Sequence, residues 1–563
     1  MTTELLSHAM AWIEQDPDAE TRRELALLIE QVEYGNEEAL KELTSRFSGH
    51  LTFGTAGLRA EIGAGPMRMN RVVVAHAAHG LGTFLLEKIS SHTPRVVIGF
   101  DARTNSDVFA RDTAEVLGGL GITPIMFSRH TPTPVLAFAL RHLDADAAVM
   151  VTASHNPPAD NGYKVYLGGE DEGSQIVPPA DSAIHEAIMA SHASSSATTM
   201  PRRTDTIELI GDDVIAAYVD ATREVARAFA QEGRESLRIC YTPMHGVGAD
   251  VFERLLELEG FSSVYPVTAQ EQPDRLFPTV SFPNPEEPGA LDLAQELATS
   301  VGADIIVAHD PDADRLAIAL PSRDGTGWVN LTGNEVGAIL AASIAERASA
   351  TGEEGVVGFS VVSSPITSVI ARENGLEGVE TPTGFKWISR LPGILFGFEE
   401  ALGYLVNPDT VRDKDGISAG LYALCLAAQA HVEGKTLWDV LDEVRARYGG
   451  FASGQVSLRF ESPAVAQKLM EIVRQDPEGV FPALKVSGIQ DYLNPPPGQP
   501  TADLMRYDTE AGDRIIIRPS GTEPKLKVYL DCIRPAQEDA MEAIAEIESA
   551  VRESMDRLTT SMN

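Results

Sequence analysis

The feature that most constrains this chain is a pattern that restarts. An apolar, strand-like run gives way to a polar loop and then to a helix-like segment, and the cycle begins again twice. "RVVIGFDAR" (95–103) is an apolar strand ending in Asp and Arg, "DTAEVLGGLG" is a helix stopped by Gly121, and "ITPIMF" is the next strand. The pattern starts over with "LRICYTPMHGVGADVFERLLELEGF", a strand, a glycine-bearing loop and a helix, followed by "ADIIVAHDPDADRLAIAL", a buried strand, an acidic loop and another strand. A third round runs from "EVGAILAASIAERA" through "GVVGFSVVSS", "TPTGFKWIS" and "LFGFEEALGYLV". Strands alternating with helices at this spacing build α/β layers. From about residue 450 the pattern changes: "ASGQVSLRF" and "RIIIRPSGTEPKLKVYLDCI" read as strands, and "AQEDAMEAIAEIESAVRESMDRL" as a long closing helix. The expectation is three α/β domains, 1–205, 206–325 and 326–450, and a smaller α+β domain, 451–563. Residues 1–50 read as helices, including the amphipathic "EEALKELTSRF". The Ser/Thr-rich "SHASSSATTMPRRTDT" (191–206) reads as a linker or exposed loop.

Composition narrows the class. At 563 residues the chain exceeds one core, and roughly three to five domains is the prior. Its 43% hydrophobic and 23% charged residues describe a soluble globular protein. No run approaches the roughly 20 apolar residues of a membrane span. The acidic N-terminus lacks the basic region and cleavage site of a signal peptide. Cys240, Cys425 and Cys532 form neither a disulfide framework nor a zinc spacing, so a reducing cytoplasm is the expected address. The net charge of −37 argues against nucleic acid and anionic membrane as partners. An anionic ligand must therefore meet a local basic site. Oligomeric state stays open between monomer and dimer.

Four loops carry chemistry. "VTASHNPPADNGYKVY" (151–166) reads as a strand ending in a rigid, exposed loop, and it places Ser154, His155 and Lys164 close in sequence. Any turn would favour Ser, Asn, Pro and Gly, but a plain turn does not account for that trio. "AHDPDADR" puts Asp310, Asp312 and Asp314 at alternate positions after a strand, closed by Arg315. Three carboxylates so close repel one another, and oxygen ligands suit a hard ion, magnesium above all. An EF-hand is excluded, because position six is Arg315 and position twelve is Pro321. "RPSGTEPKLKVY" (518–529) offers Arg518 for bidentate phosphate binding, hydroxyls from Ser520 and Thr522, and backbone N–H groups around Gly521. A basic hairpin turn would look similar, and the spacing is not that of a Walker loop. "GFEEALGY" (397–404) presents Glu399 and Glu400 beside glycines, either as acceptors for sugar hydroxyls, as an acid and base, or as a solvated helix start. "TPTGFKWIS" and "VRDKDG" add the loop lysines Lys386 and Lys414.

Together these motifs resemble the α-D-phosphohexomutase superfamily of phosphoglucomutases and phosphomannomutases. "TASHNPP" looks like its phosphoserine loop, "DPDADR" its magnesium loop, "GFEEALGY" its sugar-recognition loop and "RPSGTEPK" its phosphate-recognition loop, in the family's order from about 50 to 535. "FGTAGLR", "TPTGFKWI" and "DKDG" point to the branch with the glucose-type mutases and the phosphopentomutase-like enzymes. The resemblance implies four domains around a central cleft, three α/β and a last one resembling a TATA-binding-protein-like fold. One departure stands out: Ala401 occupies a position where many members carry a serine.

The resemblance also implies a chemistry. Ser154 is carried as a phosphoserine and shares a magnesium ion with Asp310, Asp312 and Asp314. His155, Lys164 and Arg59 are candidates to handle the proton, with Lys164 and Arg59 preferred, and Arg315 steadies the transferring group. Thr383, Gly384 and Glu399 read the sugar, Lys386 and Lys414 add positive potential to the substrate site, and Arg518, Ser520, Gly521 and Thr522 hold the phosphate. The expected reaction is glucose 1-phosphate to glucose 6-phosphate through glucose 1,6-bisphosphate, with phosphopentomutase or phosphomannomutase activity as alternatives. Two rival classes are an aspartyl-phosphate phosphatase using Asp310, and a non-catalytic sugar-phosphate binding protein.

Overall fold

Strands of the first sheet take their residues from the longest apolar runs. Arg95–Phe100 and Ala147–Val151 are buried almost throughout, and they lie parallel beside Thr123–Phe127 and Glu208–Ile210. Burial on both faces is what a helix-covered parallel sheet requires. Asp160–Leu167 runs antiparallel along Ala147–Val151, and Leu58–Glu61 pairs antiparallel on its far edge. The computed structural model describes residues 2–54, 57–495, 501–519 and 525–562.

The chain divides into two units, residues 1–330 with 403–432, and residues 331–402 with 433–563. The first unit opens with the helices Thr2–Gln15, Ala19–Glu33 and Glu37–Arg46, and the last two begin at caps that the sequence supplies. The Asp18 side chain accepts from the Glu20 N–H, and Asn36 accepts from the N–H groups of Glu38 and Ala39. Their apolar stripe, Trp12, Leu25, Ile29, Val32 and Leu43, joins the core of the first sheet. A second sheet orders its strands Trp328–Asn330, Leu316–Pro321, Ile305–His309, Ile239–Thr242 and Val264–Pro266, the last three mutually parallel.

Residues 191–206 form the expected irregular loop from residue 195 on, but an anchored one. The helix Ala180–Ser194 runs into this segment, Ser191, Ala197 and Met200 are buried, and Arg202 pairs with Asp112 at 2.6 Å. The chain lies so close to the helix Ser106–Gly119 that a Cβ on Gly119 would stand 1.9 Å from the Pro201 carbonyl oxygen. A few anchors, not a hydrophobic period, hold it, which is why composition suggested a loose connection.

In the second unit, Glu377–Thr381, Val356–Ser360 and Ile394–Glu399 form a parallel arrangement with the helices Gly333–Thr351 and Ile366–Glu373. An antiparallel sheet then orders Gly450–Arg459, Lys525–Arg534, Arg514–Pro519, Met505–Thr509 and Val486–Asp491, with the helices Pro463–Gln475 and Gln537–Ser561 on its core. Mixed α/β layers followed by an α+β sheet match the architecture expected from the restarting pattern.

Candidate active site

In the first unit, two strands end at the same place. Ala147–Val151 leads into Ser154, and Ile305–His309 leads into Asp310. The carboxyl ends of parallel strands are where open α/β sheets collect their ligand-binding groups. Ser154 holds φ at +52°, and its N–H donates to Thr152 Oγ1 at 2.8 Å. Its hydroxyl donates to Asp310 Oδ2 at 2.8 Å and lies 3.1 Å from His155 Nδ1. The loop was expected to be exposed; instead Ser154 is 2% exposed, because the acidic loop 310–315 packs on it.

The acidic loop is tight, with Ala313 at φ +56° and the Arg315 N–H returning to Asp310 Oδ1 at 3.0 Å. Asp310, Asp312 and Asp314 are all buried, and one oxygen from each lies within 4.8 Å of the others. Lys164, on the strand Asp160–Leu167, reaches Asp312 at 2.6 Å and Asp314 at 3.0 Å. Lys414 stands 3.3 Å from Asp314, on a loop fixed by the Tyr166 hydroxyl and Gln175 amide donating to Asp413. Asp312 Oδ1 and Asp314 Oδ1 are buried and accept no hydrogen bond from the described residues. Unsatisfied, hard oxygens converging from three carboxylates fit a divalent ion such as magnesium.

The electrostatics follow from that crowding. Burial, and then the two neighbouring carboxylates, hold the Asp310 carboxyl well above its ordinary range. Burial pushes Asp312 and Asp314 the same way. Lys164 overrides it in both, joined by Lys414 and Arg315 at Asp314, and each carboxyl lies below its usual value. Burial and then the cations Arg315 and Arg59 hold His155 well below the usual imidazole range, so the ring is neutral. Arg315 Nη2 lies 3.5 Å from His155 Nε2, and Arg59 Nη1 donates to Asn156 Oδ1 at 3.1 Å.

The second unit holds the remaining candidates. Glu399 ends the strand Ile394–Glu399. Its neighbour Glu400 is committed inward, accepting from the hydroxyls of Ser360 at 3.2 Å and Ser363 at 3.0 Å. Thr383 is half-buried, and Gly384 takes φ +108°, which favours glycine, at the start of the short helix Phe385–Ile388 that carries Lys386. Arg518 is half-buried on the strand Arg514–Pro519, while Ser520, Gly521 and Thr522 lie outside the described residues.

Sequence reasoning missed three supports. Thr133, first in the helix Thr133–His142, donates its hydroxyl to Asp312 Oδ2 at 2.6 Å and its N–H to the Asp312 carbonyl at 2.9 Å. Asp101 accepts from Thr152 Oγ1 at 2.6 Å, and Arg103 donates to the Ser154 carbonyl. Asp101 and Arg103 stand after an apolar strand, the same position as Ser154 and Asp310, and that was the available signal.

Comparison with known proteins agrees with this layout. Family models described as phosphoglucomutase/phosphomannomutase α/β/α domains I, II and III match residues 50–195, 216–323 and 332–448, and the model of the C-terminal domain matches 462–550. The chain is similar to a protein of Haemophilus influenzae named probable phosphomannomutase, 45% identical over 86% of this chain and 97% of that one. It is also similar to a protein of Schizosaccharomyces pombe named probable phosphoribomutase, 34% identical over 96% of each. Among solved structures, the open form of parafusin, a phosphoglucomutase of Paramecium, shares the fold with a TM-score of 0.68 at 19% identity, over 91% of this chain and 96% of that one.

Proposed function

The chain belongs to the phosphoglucomutase/phosphomannomutase family and is a phosphosugar mutase, and from that premise we propose that it interconverts glucose 1-phosphate and glucose 6-phosphate through a phosphoserine at Ser154. The observation that carries this reading is the 2.8 Å contact between the Ser154 hydroxyl and Asp310, at the head of three buried carboxylates. Asp310, Asp312 and Asp314 hold magnesium in this proposal, and the ion, when bound, withdraws charge from the phosphoryl group as it transfers.

The chain's own residues do the rest. Ser154 gives its phosphoryl group to the 6-hydroxyl of glucose 1-phosphate: the Ser154 O–P bond breaks, an O6–P bond forms, and glucose 1,6-bisphosphate results. The proton of O6 ends on the Ser154 oxygen that the phosphoryl group leaves; the neutral ring of His155, 3.1 Å from that oxygen, is the relay, while Lys164, paired with Asp312 and Asp314, and Arg59 stay charged and steady the transferring group. The bisphosphate turns over, its 1-phosphate returns to Ser154, and glucose 6-phosphate leaves. Arg315 and Lys414 add positive charge at the loop, which a chain of net charge −37 otherwise lacks. Glu399, Thr383, Gly384 and Lys386 read the sugar, and Arg518, with Ser520, Gly521 and Thr522, the non-reacting phosphate. The phosphatase alternative loses ground because Asp310 is engaged at both oxygens, by Ser154 and by the Arg315 N–H. In this reading the three cysteines are free, buried thiols, in keeping with a reducing cytoplasm.

A second sugar has its own support: the S. pombe relative, matched over 96% of each chain, is named for a pentose phosphate. Ala401 removes a hydroxyl worth about 0.5–1.5 kcal/mol as a hydrogen bond, enough to blur the sugar range by up to roughly tenfold. The test is kcat/KM for glucose, ribose and mannose 1-phosphates with magnesium and glucose 1,6-bisphosphate, alongside the intact mass of the enzyme. The expected order is glucose, ribose, mannose, with one phosphoryl on Ser154. A preference for ribose 1-phosphate installs the pentose reading, and a preference for mannose 1-phosphate replaces glucose while leaving the mechanism. Turnover by an enzyme that carries no phosphoryl group overturns the phosphoserine assignment.

A further inference from the structure

The backbone of Ser154 sits in a device that the reaction above does not use. Arg103 is 3% exposed, and its guanidinium faces carbonyl oxygens and, with Nε 3.3 Å from Asp101 Oδ2, one buried carboxylate. Nη1 donates to Pro157 at 2.7 Å and to Asp160 at 3.1 Å, and Nη2 donates to Asn156 at 2.6 Å and to Ser154 itself. Both peptide groups of Ser154 are therefore held, the N–H by Thr152 and the carbonyl by Arg103, and Thr152 is in turn held by Asp101. A serine at φ +52° persists only where its surroundings over-determine it.

Phe277 lies over the same guanidinium, with its ring centroid 5.1 Å from Cζ. It comes from the segment between the short helix Thr268–Glu271 and the helix Asp292–Val301. Phe277 is 2% exposed and sits at φ +47°, unusual for a bulky side chain. Its own turn fixes it: its N–H donates to the Asp274 carbonyl, and its carbonyl accepts from Val280. An aromatic face packs on a guanidinium without competing for its in-plane N–H groups, which stay aimed at the carbonyls.

We propose that Arg103 and Phe277 are a positioning pair, in which Arg103 holds the Ser154 loop in its strained reactive form and Phe277 holds the guanidinium in the plane of those carbonyls. The kinetic consequence rests on the mutase reading; the geometric one does not. Lysine cannot replace the arginine, because one ammonium lacks the planar fork that reaches acceptors on two sides. Phe277 also meets His245 edge-on at 6.5 Å between ring centroids, but it reaches the Ser154 loop through Arg103, so its effect on that loop must vanish once Arg103 is replaced.

The experiment compares Arg103→Lys, Phe277→Leu, Phe277→Tyr and the double variant Arg103→Lys/Phe277→Leu in the full chain. The first readout is amide exchange across 152–156, with the strand Ile305–His309 as internal reference. The second is single-turnover transfer from phosphorylated Ser154 to glucose 1-phosphate. Arg103→Lys should raise exchange in 152–156 about tenfold with the reference strand unchanged, and slow transfer about 30-fold with KM within about threefold. Phe277→Leu should do the same at about fivefold, Phe277→Tyr should restore most of it, and the double variant should match Arg103→Lys alone. Unchanged exchange in Arg103→Lys overturns the proposal, as do losses that multiply in the double variant. If Arg103→Lys does not fold, the contrast between Phe277→Leu and Phe277→Tyr decides on the same readouts. If the wild type carries no phosphoserine and turns over no sugar phosphate, the mutase reading fails and exchange alone decides the pair.

Discussion

A side chain at Ser154 costs about 1–2 kcal/mol in the left-handed region, a cost that glycine escapes. Ser154→Gly should therefore melt no lower than Ser154→Ala, although glycine normally destabilises, and thermal scans of the two variants side by side test this. Both should lose at least about 10³-fold in turnover, as removal of a nucleophile does. Asp312 is the next residue to probe. Its Oδ2 carries Lys164 and Thr133, and its Oδ1 has no partner among the described residues. Asp312→Asn removes the charge and leaves the shape. It should raise the magnesium concentration needed for half-maximal activity while inhibition by inorganic phosphate stays as it was. Activity that survives EDTA in the wild type would end the metal assignment.

At the scale of elements, the helices Arg71–Lys88 and Ala180–Ser194 pack with almost nothing between them. A Cβ on Gly80 would stand 2.4 Å from Ile188 Cγ1 and 2.7 Å from the Ile188 backbone nitrogen. Backbone cannot give way as a side-chain tip can, so Gly80→Ala should destabilise by about 1–3 kcal/mol, read as a lowered Tm. The same helix pair stacks His76 on His192 at 3.8 Å between ring centroids, with His50 4.4 Å from His192 and Ser191 bonded to His76. Burial, reinforced by neighbouring histidines, pushes His76 down to about 4 and His192 to about 3. The folded chain thus binds fewer protons than the unfolded one below pH 6.5, and stability falls as pH drops from there toward 4. The loss from His76 alone is about 2 kcal/mol by pH 5. His192→Phe keeps a stacked ring without the titrating group, so its Tm should fall less than the wild type's between pH 7 and pH 5.

For the whole molecule, the division into units does not follow chain order. Residues 403–432 rejoin the first unit, where His309 Nε2 lies 3.0 Å from the Gly416 carbonyl and the Tyr218 hydroxyl donates to Asp415. The helix Gly416–Val432 is buried along most of its length, against residues such as Phe252. A fragment ending at residue 330 would expose that apolar bed and lack Lys414. It should aggregate or unfold without cooperativity, whereas the full chain should not. Near-ultraviolet circular dichroism and sedimentation of the fragment check this, and a cooperative, soluble fragment would contradict the unit boundaries.

Much was legible in the sequence alone because it is local. Val151 before Ser154, and the alternating aspartates after an all-apolar strand, are consecutive residues whose alternation and turn chemistry read without a partner. The restarting strand–loop–helix pattern likewise revealed the layers, since periodicity is a property of neighbours in sequence. What only the tertiary structure decided depends on residues far apart in the chain. The resemblance put Ser154 and Asp310, 156 positions apart, on one ion, but no local pattern shows that Asp310 would accept a hydrogen bond from the Ser154 hydroxyl, that Lys164 and Lys414 would converge on Asp314, or that Glu400 would accept from Ser360 and Ser363. The stretch 191–206 is an irregular, largely exposed loop from residue 195 on, as expected, but the anchors that order it escaped for the same reason. Its order comes from Gly118 and Gly119 having no side chain and from Arg202 finding Asp112, long-range contacts that leave no periodic trace in the segment itself.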